Sequence, residues 1–225
     1  MINKKKIFIA VDTNNVSKAK KIIRDTQTNK IKIGYKFGIE FFYSKNGRRF
    51  ISGLKNQVIF LDLKLNDIPN TVRSAMKSLK NLKISYLTVH LSSGLNALKA
   101  VKKESQNIKI AGVTTLTSLN NKDLKDIGYN KKVNELVRHQ AKLATKANLD
   151  AIVCSGHEIR SVKRVFKKEI ITPGIKMQNV KNDQKRIMGP AVAFATGSDW
   201  LVIGRSITNG NIKKNIKSLL EILED

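Results

Sequence analysis

Eight short apolar, β-branched runs recur along the chain, and their spacing limits the fold more than any other feature of the sequence. The runs are Ile7 to Val11, Ile31 to Tyr35, Val58 to Leu61, Tyr86 to Val89, Ile108 to Val113, Ala151 to Val153, Ile170 to Ile171 and Trp200 to Ile203. Their starts lie about 20 to 43 residues apart, and the gaps carry helical periodicity or helix-start signals. The clearest gap is Val133 to Ala147, where Val133, Leu136, Val137, Gln140, Leu143, Ala144 and Ala147 fall on one helical face. Continuous apolar strands separated by helices imply a parallel sheet covered on both faces. Eight such units in 225 residues match a closed (β/α)₈ barrel of the TIM type, with an open doubly wound sheet as the alternative. No Pro/Gly/Ser-rich linker or internal repeat divides the chain, so one catalytic domain over residues 1–225 is expected.

Polar residues cluster where these runs end. Asp12 follows the first, Asp62-Leu63-Lys64 the third, His90 the fourth, Thr172-Pro173-Gly174 the seventh and Gly204-Arg205-Ser206 the eighth. Any one of them reads equally well as a helix cap or a loop polar group. Their shared address is the C-terminal face, where a parallel barrel keeps its active site.

The charge is extreme: 43 Lys+Arg against 17 Asp+Glu, a formal net charge of +26. Such an excess is the footprint of a nucleic-acid or anionic-surface binder. Yet only nine of the basic residues are Arg, the lysines are scattered, and aromatics are 6%, whereas nucleic-acid readers favour Arg forks and stacking rings. With 21 Asn beside the lysines, the composition reads first as solvated Lys-biased surface and second as a nucleic-acid footprint. A hydrophobic content of 41% supports a full core and excludes intrinsic disorder. The single cysteine, Cys154, rules out an internal disulfide framework and a multi-Cys metal site, and reads as a buried small hydrophobe. The basic start Lys4-Lys5-Lys6 is followed by only five apolar residues before Asp12, too few for a signal segment or a membrane span. A cytoplasmic protein with no membrane partner is expected.

The most informative segment is Phe60-Leu61-Asp62-Leu63-Lys64-Leu65-Asn66-Asp67-Ile68-Pro69-Asn70-Thr71. Period-2 alternation puts Asp62 and Lys64 on one face of the strand end and Leu61, Leu63 and Leu65 on the other. Asp67 sits at a helix start, with Pro69 in the first turn. On a bland reading Asp67 is an N-cap and Lys64 an exposed lysine. On the other, Asp-x-Lys-x-x-Asp at a barrel mouth is a proton-transfer device, its carboxylates holding an ammonium charged and oriented.

The ordered motifs Ala10-Val11-Asp12, Lys36-Phe37-Gly38-Ile39-Glu40-Phe41-Phe42, Asp62 to Pro69, Val89-His90, Thr114 to Ser118, Val153-Cys154-Ser155, Thr172-Pro173-Gly174-Ile175, Asp183-Gln184 and Val202 to Thr208 resemble the orotidine 5′-phosphate decarboxylase family from Asp12 to Thr208. The resemblance implies a homodimeric barrel that converts orotidine monophosphate to UMP in pyrimidine synthesis without cofactor or metal. By carry-over, Lys64 protonates C6 as carbon dioxide leaves, and Asp62 lies against the substrate carboxylate. Lys36 ties Asp12 and Asp62 together, and Asp12 and Lys36 touch the ribose. Asp67, Ile68 and Thr71 reach into the neighbouring subunit's site, Thr117 contacts the pyrimidine, and Gln184, Gly204 and Arg205 grip the phosphate. The family carries Arg directly after Thr-Pro-Gly-Ile, where this chain has Lys176, and the interval to Gln184 is one residue shorter. Lysine keeps that charge on the phosphate but not the bidentate fork. The long Thr172 to Gly189 connection reads as a lid.

Two other functions compete. A related sugar-phosphate barrel shares the Asp-x-Lys-x-x-Asp array but binds magnesium through an acidic residue on strand two, where Lys36 would repel the ion. A basic barrel that binds nucleic acid is the third. His90, His139 and His157 lack metal-ligand spacing, Trp200 reads as packing, and Ile212 to Leu223 as a closing helix.

Overall fold

The computed structural model describes residues 5–177 and 188–224. Its strands are β1 (Lys6–Ala10), β2 (Lys32–Gly38), β3 (Val58–Leu65), β4 (Tyr86–His90), β5 (Lys109–Val113), β6 (Ala151–Val153), β7 (Glu169–Thr172) and β8 (Trp200–Ile203). Neighbours pair in parallel in chain order and β8 closes onto β1. The sheet is therefore a closed (β/α)₈ barrel, and the open doubly wound alternative is excluded. Helices fill the intervals, among them Val16–Asp25, Pro69–Ser78, Gly94–Glu104, Val133–Lys146 and Pro190–Thr196, and Ile212–Glu224 follows β8. No helix among the described residues is long and apolar enough to cross a membrane.

Strand alternation divides the apolar residues into two layers. Odd-numbered Ile7 and Ile9 of β1 belong to the large cluster under the helices, whereas Phe8 and Ala10 belong to a smaller one inside the barrel. Phe8, Phe60, Tyr86 and Trp200 fill that interior, with Phe8 stacked on Trp200 at 4.0 Å and 15° and edge-on to Tyr86 at 5.4 Å. Gly34 of β2 makes room for the stack: a Cβ there would lie 2.7 Å from the Phe8 ring and 2.8 Å from the Val58 carbonyl oxygen. Such a filled interior is a packed core and not a pore.

The N-terminal end of the barrel is shut by charge. Glu169 accepts from Tyr86 Oη at 2.8 Å and Lys109 Nζ at 2.9 Å, with Lys6 Nζ at 3.5 Å. Burial pushes the Glu169 carboxyl up, but the Lys109 and Tyr86 hydrogen bonds and the two ammonium charges outweigh it, leaving its pKa below the usual 4.5. Burial and the Glu169 charge push the Tyr86 phenol well up.

β2 and β3 run further than their apolar runs suggest. Lys36 and Asp62 continue the inward alternation at the open end, so the β2–β3 ladder persists after the apolar residues stop. Two β-strand ends thus carry the polar residues within the sheet, where their positions are fixed by register.

Candidate active site

β1, β2 and β3 bring four alternating charges together. Lys36 Nζ donates to Asp12 Oδ1 at 2.9 Å and lies 3.9 Å from Asp62 Oδ2, and Lys64 Nζ donates to the same Asp62 oxygen at 2.8 Å. The order is carboxylate, ammonium, carboxylate, ammonium. Its middle members are nearly dry, with side-chain exposures of 12% for Lys36 and 13% for Asp62, while Asp12 at 57% and Lys64 at 39% face the opening. Low water content strengthens each of these contacts and fixes their geometry.

Lys64 departs from strand geometry. Its φ is +50°, and the β3–β4 register jumps from Leu61↔Leu87 to Leu65↔Val89, four residues on one strand against two on the other. The displaced Lys64 N–H donates to Thr88 Oγ1 at 2.7 Å, and that hydroxyl donates to Asp62 Oδ1 at 3.0 Å. Thr88 was not among the residues singled out from sequence. The available signal was alternation in Tyr86-Leu87-Thr88-Val89-His90, which turns Tyr86, Thr88 and His90 inward. His90 is half-buried, and burial followed by the Lys64 charge pushes its imidazole below the usual 6.5 against an opposing pull from Asp62.

The array opens into a cavity of about 360 Å³ at the C-terminal face. Asp12, Lys36, Asp62, Lys64, Thr117, Lys176, Gly204 and Arg205 all line it. A wider groove of about 770 Å³ lies outside the barrel between the helices Val16–Asp25 and Gly47–Gly53, but no carboxylate lines it and no such charge array faces it.

A family model described as the orotidine 5′-phosphate decarboxylase / HUMPS family matches residues 5–216. The chain belongs to that family. A curated relative from Prochlorococcus marinus (strain MIT 9215), named orotidine 5′-phosphate decarboxylase, a carboxy-lyase, is 40% identical over 97% of this chain and 94% of its own length. One of the same name from Wolbachia pipientis subsp. Culex pipiens is 39% identical over 97% and 99%. Among solved structures, an orotidine 5′-phosphate decarboxylase from Lactobacillus acidophilus superposes with a TM-score of 0.84 at 28% identity, covering 98% of this chain and all (100%) of that one.

In this family member the cations of the last two strand ends line the same cavity as the array. Arg205 opens the short helix Arg205–Thr208 after Gly204, and Lys176 follows β7 through Pro173 and Gly174, whose φ of +77° suits glycine. Ile175 bridges to Met188, and Lys176 N–H donates to the Met188 carbonyl at 3.3 Å, tying together the two ends of this connection. Gln184, and with it most of the expected lid, lies outside the described residues. The loop after β5 carrying Thr117 is anchored by Gln140, whose buried side-chain oxygen accepts from Thr115 N–H at 2.8 Å.

Asp67, Ile68 and Thr71 are exposed and do not line the cavity of their own chain. The N-cap of the helix Pro69–Ser78 is Ile68, not Asp67. Proline as the first helical residue needs no N–H partner, so the start shifts by one, and Asp67 Oδ1 accepts instead from Ile68 N–H at 2.7 Å. The bland capping role for Asp67 is thereby removed. Cys154 is buried at the cavity wall, and burial pushes its thiol well up, so it is no thiolate.

Proposed function

We propose that this chain decarboxylates orotidine 5′-phosphate to UMP in pyrimidine synthesis, in the cytoplasm, with Lys64 as the proton donor to C6. The observation that carries the reading is the Asp12–Lys36–Asp62–Lys64 array facing a cavity that Lys176 and Arg205 also line. Cations gathered in one cavity suit a substrate that carries both a carboxylate and a phosphate.

The chemistry needs these groups. When the C6–carboxylate bond breaks, its electron pair stays on C6 as a vinyl carbanion with no adjacent π-system to drain it. Fixed positive charge at that carbon must stabilise it, and the Lys64 ammonium supplies both the charge and the proton that forms the C6–H bond. The neutral amine then regains a proton from solvent. Asp62, held by Lys64 and Lys36, faces the substrate carboxylate and repels it, a ground-state stress that vanishes as carbon dioxide departs. Asp12 and Lys36 take the ribose, Thr117 the pyrimidine, and Lys176, Gln184, Gly204 and Arg205 the phosphate, whose binding energy holds the reacting end in place.

In the same reading the protein is a homodimer. Asp67, Ile68 and Thr71 complete the partner's site, and the 66% exposure of Ile68 in a single chain is the supporting observation.

A metal-assisted sugar-phosphate reaction is the other chemistry in a family described by both names. The Lys36 ammonium, 2.9 Å from Asp12 and 3.9 Å from Asp62, disfavours it because it already fills the place of a cation between those carboxylates. The test is to add orotidine 5′-phosphate to purified protein in the presence of a chelator and follow conversion to UMP by ultraviolet absorbance. Turnover supports the reading, and its absence with and without added magnesium overturns it.

A further inference from the structure

We infer that Thr88 is the positioning residue of the carboxylate–lysine array, a single buried hydroxyl that sets both the Asp62 carboxylate and the Lys64 backbone. The inference rests on the proposed function for its kinetic meaning and on geometry alone for its structural meaning.

Thr88 is fully buried, with an exposure of 0%. Its two contacts leave the hydroxyl no choice of orientation: the Lys64 N–H only donates, so Oγ1 must accept it at 2.7 Å, and an ionised Asp62 only accepts, so the hydroxyl proton must point to Oδ1 at 3.0 Å. The Asp62 oxygens are then divided, Oδ1 to a neutral hydroxyl and Oδ2 to the Lys64 ammonium at 2.8 Å. Both torsions of the carboxylate are fixed from opposite sides.

The backbone contact explains a second oddity. Lysine at a φ of +50° is in the left-handed region, where the Cβ of an L-residue crowds the following carbonyl oxygen. The four-against-two register jump also takes the Lys64 N–H away from a carbonyl partner on β4. An unpaired N–H there would add a further cost, and Thr88 removes it by offering a side-chain acceptor from the residue that the bulge passes over. In this bent geometry the Lys64 side chain meets Asp62, two residues earlier. Thr88 has no place in the cavity lining and touches no substrate in the proposed reaction, so it acts through Asp62 and Lys64.

The experiment compares Thr88→Val, which keeps the shape and removes the hydroxyl, with Thr88→Ser, which keeps the hydroxyl. Two readouts are taken on each: steady-state kinetics with orotidine 5′-phosphate, and hydrogen exchange of the Lys64 amide by NMR. For Thr88→Val the expected results are a kcat lower by about 10- to 100-fold with KM within about twofold, and a Lys64 amide that exchanges at least about tenfold faster. Thr88→Ser is expected to restore kcat to within about threefold and to keep the amide protected. Equal activity in Thr88→Val and wild type, equal damage in Thr88→Ser and Thr88→Val, or a loss confined to KM would overturn the inference. If wild type itself fails to turn over the substrate, the decarboxylase reading falls while amide exchange still decides whether Thr88 holds Lys64. Should Thr88→Val be insoluble, Thr88→Ala goes through the same two measurements with the same expected and contrary outcomes.

Discussion

Lys36→Met isolates the middle of the charge array, because it removes the ammonium that stands between two carboxylates and keeps most of the side-chain volume. At an effective dielectric near 20, a unit charge pair at the 3.9 Å separating Lys36 Nζ from Asp62 Oδ2 is worth about 4 kcal/mol. The shorter Lys36–Asp12 contact, at 2.9 Å, adds less than its distance suggests, since Asp12 is 57% exposed and water screens it. Asp62 keeps Lys64 and Thr88 as partners after the change, so the net loss is smaller than for a fully stranded charge, about 3 kcal/mol. For a chain of this size that lowers Tm by roughly 6–12 °C. A surface pair provides the scale: Lys30 Nζ lies at the same 2.9 Å from Glu224, but with exposures of 58% and 62%. Lys30→Met should cost less than about 1 kcal/mol and leave turnover unchanged. Thermal unfolding and orotidine 5′-phosphate turnover are measured on both variants, with Lys36→Met expected to lose at least about 100-fold in kcat/KM through a mobile Asp62 and a weakened ribose contact. If Lys36→Met unfolds no earlier than Lys30→Met, the burial of the array has been given a weight it does not have.

Two further outcomes concern the barrel away from the site. Gly34→Ala forces a Cβ to 2.7 Å from the Phe8 ring and 2.8 Å from a backbone oxygen that cannot swing aside, so denaturant unfolding should show a loss of about 1–3 kcal/mol; an unchanged midpoint would mean that the aromatic stack has slack. Glu169→Gln at the closed end should cost about 1–3 kcal/mol near neutral pH with turnover intact. The folded-state pKa of Glu169 lies below the usual 4.5, so its ionised form stabilises the fold above that value and the contribution fades as the pH falls through and below it. The stability gap between wild type and Glu169→Gln should therefore narrow in acid, and a gap that widens would reverse the sign of the coupling.

Much of this molecule is legible in its sequence because buried parallel strands leave continuous apolar runs. The runs that are purely apolar, such as Ala151 to Val153 and Trp200 to Ile203, coincide with β6 and β8. β2 and β3 extend beyond their runs because polar residues that point into the barrel mouth break the apolar signal without breaking the ladder. The Asp62–Lys64 pairing is visible as alternation, but contact of Lys36 with Asp12, 24 residues away, depends on register across β1 and β2 and came only through family resemblance. Thr88 escaped notice since a lone threonine among apolar residues in a strand looks like any β-branched residue. Only the bulge in β3, which no local sequence rule announces, turns its hydroxyl into a partner for Lys64. The closed end is equally hidden: Lys6, Tyr86, Lys109 and Glu169 each begin a strand, and nothing in their spacing says that one carboxylate gathers the other three.

The net charge of +26 takes on a narrower meaning beside the site. Lys36, Lys64, Lys176 and Arg205 face one cavity, and on the proposed function the remaining excess would steer an anionic nucleotide toward it.

The most direct measurement is turnover by Lys64→Ala with orotidine 5′-phosphate, read as kcat beside the dissociation constant for UMP. Removing both the proton donor and the fixed charge at C6 should lower kcat by more than about 10⁴-fold. On the proposed function UMP, which has no C6 carboxylate, is held mainly through its phosphate by Lys176, Gly204 and Arg205, so its binding should change by less than about tenfold. A Lys64→Ala protein that still binds UMP and keeps kcat within about tenfold of wild type would contradict the assignment of Lys64 and, with it, the role given to the array.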